Sequence, residues 1–128
     1  MIPLRERRLR RSSQTGEALR FQLEHVAKEQ DLVALVLADS MGVLVAANRV
    51  GPEAEELAAV APIAARRAAL CPANPVSEEK FLPCAVGQLT VDDSAFYILA
   101  VGQRRRARLA IASASFGVRR ILGVQALS

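Results

Sequence analysis

Hydrophobic positions along this chain change period several times, and each change marks an element. Between Thr15 and Gln30, Leu19, Leu23, Val26 and Ala27 recur at helical spacing, which predicts a helix with one core stripe. Thr15 is placed to cap it, and Glu17 to meet the positive end of its dipole. Phe21 and His25, four apart, fall on a second, partly apolar side. Asp31 ends the pattern. LVALVLA (32–38) is a short Val- and Leu-rich run, too short for a typical helix and suited to a strand buried on both faces. Asp39-Ser40-Met41-Gly42 is turn chemistry, and VLVAAN (43–48) returns as the second strand of a hairpin.

Gly51-Pro52 opens the next helix, with proline at the first helical position, where its missing N–H costs nothing. Glu53, Glu55 and Glu56 crowd the start and Arg66 and Arg67 the end, both matched to the helix dipole. Alanines pave one face, while Val60, Ile63 and Leu70 occupy a different side from Leu57 and Ala61. A helix apolar on two sides must bury both or expose a patch, and such patches mark interfaces. Pro62 predicts a kink, because its ring collides with the carbonyl of Ala58. Cys71-Pro72 and Pro75 close the element. EKFLPCAV, QLTVD and AFYILAVG then read as three strands separated by Gly87 and by Asp93-Ser94. A final helix starts near Arg108, with Ile111, Ala114, Val118 and Ile121 or Leu122 as its core face and Leu109 and Phe116 nearly opposite. Gly117 lowers that helix's intrinsic stability by ~1 kcal/mol relative to Ala. The predicted order is α-β-β-α-β-β-β-α.

The length of 128 residues suits one domain, and with 4% aromatic residues and no Trp its core must be aliphatic and alanine-based. Charge changes the picture in one place. Arg5, Arg7, Arg8, Arg10 and Arg11 against Glu6 leave +4 within residues 1–16, which equals the net charge of the whole chain. The 12 basic and 12 acidic residues elsewhere cancel, so the body reads as neutral. A neutral body whose arginines are not interleaved with aromatics disfavours nucleic acid as a partner. The basic segment is expected to be a solvated tail or to dock on an acidic partner, with a membrane disfavoured because its apolar content is only Ile2, Leu4 and Leu9. Arg104, Arg105, Arg106 and Arg108 read as a solvated loop at the entrance of the last helix.

Chemistry-bearing motifs are sparse. Cys71 and Cys84 lack a CxxC or a His at ligand spacing and read as reduced, buried thiols, so no metal is expected. There is no GxxxxGK[ST] loop, no GxSxG elbow, and the lone His25 lies in a helix; no catalytic residue and no cofactor are expected. Without a secretory h-region behind its arginines, the chain is expected in the cytoplasm.

LVLADSMGVLVAANR as a first hairpin and AEELAAVAPIAARRA as a second helix resemble the Roadblock/LC7 family, which includes bacterial Mgl-type regulators and adaptors of small GTPases. The likeness spans about residues 16–122. It departs from the family at Arg108-Leu109-Ala110, where an Asn-Leu-Gly step is common, and in its compressed later strands. The resemblance implies an α+β sandwich: a five-stranded antiparallel sheet with helix 2 on one face and helices 1 and 3 on the other. The expected organisation is a basic flexible N-terminal arm (1–15), read from its residues as mobile or as a weakly helical extension, the domain (16–124) and a short C-terminal tail (125–128). It further implies a non-catalytic homodimer that regulates or scaffolds a Ras-like small GTPase, directly or through another Roadblock protein. On that reading Ala54, Leu57, Ala58, Ala61, Ala64, Ala65 and Ala68 form the dimer interface. Glu55, Glu56, Arg66, Arg67, Phe21 and His25 are candidates for contact with a further partner. The alternative is a small-molecule-sensing α/β domain, for which large aliphatic strands offer few polar groups to orient a ligand.

Overall fold

The computed structural model describes the backbone of residues 4–49, 51–70 and 84–127, and side chains over 14–49, 51–67 and 85–123. Seven elements follow in the order α1 (Leu4–Glu29), β1 (Ala34–Asp39), β2 (Leu44–Ala47), α2 (Pro52–Leu70), β3 (Cys84–Val91), β4 (Ser94–Val101) and α3 (Arg104–Leu127). The four strands form one antiparallel sheet in the order β2-β1-β4-β3.

Side-chain alternation along the two central strands builds the layers. Leu35 and Leu37 of β1 and Ile98 and Ala100 of β4 point to one face, where they meet Leu19, Leu23, Val26 and Ala27 of α1 and Ala107, Ala110, Ala114 and Val118 of α3. Val36, Ala38 and Leu99 point to the other, beneath Ala54, Ala58 and Ala61 of α2. β1 is buried on both faces, as its uninterrupted apolar run requires. The helices take the faces expected of them, α2 alone on one and α1 with α3 on the other.

Small residues decide how close the layers come. On the α2 side, Gly42 holds φ +79°, and a Cβ there would lie 3.2 Å from the Cα of Ala59, so the β1–β2 turn presses on the helix backbone. The same turn is tied by Asp39, whose Oδ1 accepts the N–H groups of Met41 and Val43, both at 2.9 Å. On the other side, a Cβ on Gly117 would collide with Gln22, so this glycine marks the crossing of α1 and α3 and its low helix propensity is the cost of that approach.

Local chemistry ends the elements. Leu32 N–H donates to the Ala27 carbonyl (2.9 Å) and Asp31 N–H to that of Lys28 (3.3 Å), with Asp31 at φ 53°. This is a Schellman cap with Asp in the left-handed position usual for Gly, and Leu32 packs with Ala27 in the core. Asn48 extends the hairpin by one rung: its Oδ1 accepts Leu35 N–H at 2.8 Å, while its own N–H donates to the Leu35 carbonyl at 3.0 Å.

Several expectations need correction. Four strands, not five, are present among the described residues. CAVGQLTV forms a single strand through Gly87, because that glycine is a close approach: a Cβ there would stand 2.5 Å from Ile111 Cγ2. The residues 79–83 of the expected third strand lie outside the described ones, as does Cys71; Cys84 opens β3. The helix α1 begins at Leu4, so Thr15 is interior to it, not its cap; of the two readings of the basic segment, its backbone from Leu4 is helical. At the other end α3 starts at Arg104 and runs through most of the expected 125–128 tail. The four arginines 104–108 therefore belong to a helix and not to a loop.

Candidate functional site

Apart from Val33, Met41 and Val43 at the ends of the β1–β2 hairpin, the large apolar side chains left exposed among the described residues lie on the outer sides of the helices. On α2, Ala54, Ala58, Ala61 and Ala64 are buried within the single chain, and Leu57 and Ala65 are half-buried. The first three pack on the chain's own sheet, so they have no surface to give a second copy. The interface drawn on these alanines is accordingly redrawn, since small side chains here serve close helix–sheet packing. Ala68 lies outside the residues whose side chains are described.

The opposite side of α2 is another matter. Val60 is 46% and Ile63 52% exposed. Glu56 precedes Val60 by four residues and Arg67 follows Ile63 by four, and both are exposed. The four form one stripe, at i, i+4, i+7 and i+11, facing away from the sheet. Its charges are opposite at the two ends and its apolar pair is central. Val60 and Ile63 were legible beforehand as a second apolar side; their flanking charges acquire meaning only in register with them.

The six partner-contact candidates do not assemble into one site. Glu55, Glu56, Arg66 and Arg67 are exposed on α2, whereas Phe21 and His25 are exposed on α1, across the sheet. His25 Nε2 lies 3.1 Å from Glu29 Oε1 on an open helix surface, and the Arg20 guanidinium sits 5.3 Å from the Phe21 ring centroid. Both are local i,i+4 and neighbour contacts of a solvated helix face.

The second helical layer carries its own uncovered surface. Phe21 of α1 is 57% exposed, Leu109 and Phe116 of α3 are 53% and 74% exposed. Beside Leu109 an open depression of about 440 Å³ is bordered by Arg104, Arg105 and Arg108. It is a surface dip whose polar groups are all cationic, without the mixed donors and acceptors that orient a small ligand in an apolar socket. Among the described residues no group of three or more His, Cys, Asp or Glu is placed to hold a metal ion. No described helix is long and apolar enough to cross a membrane.

With this geometry in hand, comparison with solved structures finds several similar chains, two of them described as MglB. One is Myxococcus xanthus MglB, at 15% identity and a TM-score of 0.55, spanning 85% of this chain and 90% of that one. The other is described as an MglB with tetrameric arrangement, at 18% identity and a TM-score of 0.57, spanning 84% and 89%. At these identities the likeness is one of fold: three helices about an antiparallel sheet. No protein-family model matches the chain, and no curated protein matches it.

Proposed function

We propose that this chain is a non-catalytic, homodimeric interaction module of the Roadblock type. It regulates or scaffolds a Ras-like small GTPase system, by direct contact or through another Roadblock protein, with bacterial cell polarity or motility as the setting. The observation that carries the pairing is the outward stripe of α2, Glu56-Val60-Ile63-Arg67. A two-fold axis through its midpoint sets Val60 against Ile63 of the second copy and Glu56 against Arg67. One patch is then complementary to itself, as an isologous interface requires. The exposed aliphatic pair would leave water and the charges would meet at the rim, where they select orientation more than they add affinity.

The GTPase element rests on the fold shared with the two MglB structures and on the hairpin and helix that resemble the family; the alternative of a ligand sensor gains nothing from an arginine-bordered surface dip. Light scattering on the purified chain at micromolar concentration tests the pairing: a dimer is expected, and Val60→Glu, on a solvent-facing site, is expected to yield a folded monomer. A wild-type monomer would end the proposal. Affinity capture from the native host tests the partner class. If neither a small GTPase nor another Roadblock protein co-purifies, the regulatory reading is abandoned.

A further inference from the structure

Positive charge is concentrated on the last helix of the chain. Among the residues whose side chains are described, α1 sets Arg20 and Lys28 against Glu17, Glu24 and Glu29, and α2 sets Arg66 and Arg67 against Glu53, Glu55 and Glu56, so neither carries much net charge. α3, by contrast, has six arginines and no acidic residue. Arg104, Arg105 and Arg106 even stand at the positive end of its dipole, where intrahelical electrostatics oppose them.

Apolar side chains share that helix. Arg105, Leu109, Ala112, Phe116 and Arg120 succeed one another at i, i+4, i+7, i+11 and i+15, all exposed and directed away from the sheet, with Arg108 and Arg119 exposed alongside. Leu109 and Phe116 are ~10 Å apart along the helix axis. Gln22 of α1 presses on Gly117, and the residues next to that contact, Phe21 and Phe116, are both exposed. The outer side of this helical layer therefore exposes Phe and Leu bordered by arginine.

We infer that the outer α1–α3 face docks on an anionic phospholipid surface, with Phe116 and Leu109 entering the headgroup boundary and the arginines of α3 meeting phosphates. The chemistry matches that of interfacial amphipathic helices, in which basic residues flank a row of Phe and Leu. The exposed Leu109 and Phe116 argue for a bilayer over an extended acidic peptide, whose charges would leave their apolar surface unmatched. Docking here leaves the outer stripe of α2, on the opposite face of the sheet, free.

Co-sedimentation of the full chain with phosphatidylcholine vesicles, with and without phosphatidylglycerol, at low and high salt, tests this. Binding is expected only with the anionic lipid and weakens with salt. Replacing Arg119 or Arg120 by Gln lowers partitioning about five-fold each, and Phe116→Ser about ten-fold. All three sites are exposed, so the variants keep the wild-type circular dichroism spectrum. Val60→Glu, which tests pairing, retains the preference for anionic vesicles. Equal binding to neutral vesicles, absence of vesicle binding, or binding to soluble polyglutamate in preference to vesicles overturns the inference; the last assigns the face to an acidic protein.

Discussion

Gly87→Ala tests how tightly α3 is seated on the sheet. The added methyl would stand 2.5 Å from Ile111 Cγ2, whereas carbon atoms in contact settle at roughly 3.5–4.0 Å. About 1 Å of displacement must be found. β3 cannot readily supply it, because Gly87 pairs with Ile98 inside a continuous ladder to β4. Nor can the body of α3, which is anchored by Ala107, Ala110, Ala114 and Val118 in the core. Overpacking of this kind costs ~1–3 kcal/mol, and replacing a strand glycine returns ~0.5–1 kcal/mol of backbone entropy. A net loss of about 1–2 kcal/mol is expected, or ~3–5 °C in Tm per kcal/mol at this length. Ile111→Ala alone truncates a half-buried side chain and costs about 2 kcal/mol. The double variant removes the clashing atom while the new methyl fills part of the vacated space, so it should fall short of the summed losses by about 1–2 kcal/mol. Urea unfolding of the four proteins, read as midpoints at constant m, measures the coupling. Additivity within about 0.5 kcal/mol would refute the contact, and so would a Gly87→Ala protein more stable than wild type.

Two further predictions concern the hairpins. Asn48→Ala leaves the part-buried Leu35 N–H without its 2.8 Å acceptor and should cost about 1–2 kcal/mol in urea unfolding, while Asn48→Asp, which keeps the acceptor, should cost less. Asp92 and Asp93 turn the β3–β4 hairpin with φ of 53° and 66°, the left-handed pair of a type I′ turn. Asp93→Gly should therefore raise the Tm by a few degrees in calorimetry, a gain of about 0.5 kcal/mol; a lower Tm would show that the Asp side chain earns its place otherwise.

Element identity was largely legible because it is local. The four positions read as the core stripe of the first helix, Leu19, Leu23, Val26 and Ala27, are all buried. Asp31 does end that helix, and the 32–48 segment is a hairpin whose first strand is buried on both faces. Leu109 and Phe116 do point to solvent. Errors arose where one residue type serves two purposes. A glycine inside an apolar run breaks a strand or admits a neighbouring side chain, and only the position of Ile111 distinguishes the two at Gly87. An arginine cluster before a periodic segment is a loop or a first turn, and nothing short of α3's actual start separates them. Alanines at helical spacing fit a partner helix as well as they fit a sheet.

From the order of residues alone come two things: the periodicities that make helices and strands, and the finding that α2 is apolar on two sides. Both depend only on neighbours in the chain, which side-chain spacing and turn chemistry govern. The tertiary structure decided which of α2's sides is already covered, that of the small alanines beneath β1 and β4, and which is left to Val60 and Ile63. It also began α3 at Arg104, which joins six arginines with the exposed Leu109 and Phe116 in one helix on the face opposite α2. Coverage is a property of how layers stack, and the stacking is fixed by contacts between residues far apart in the chain.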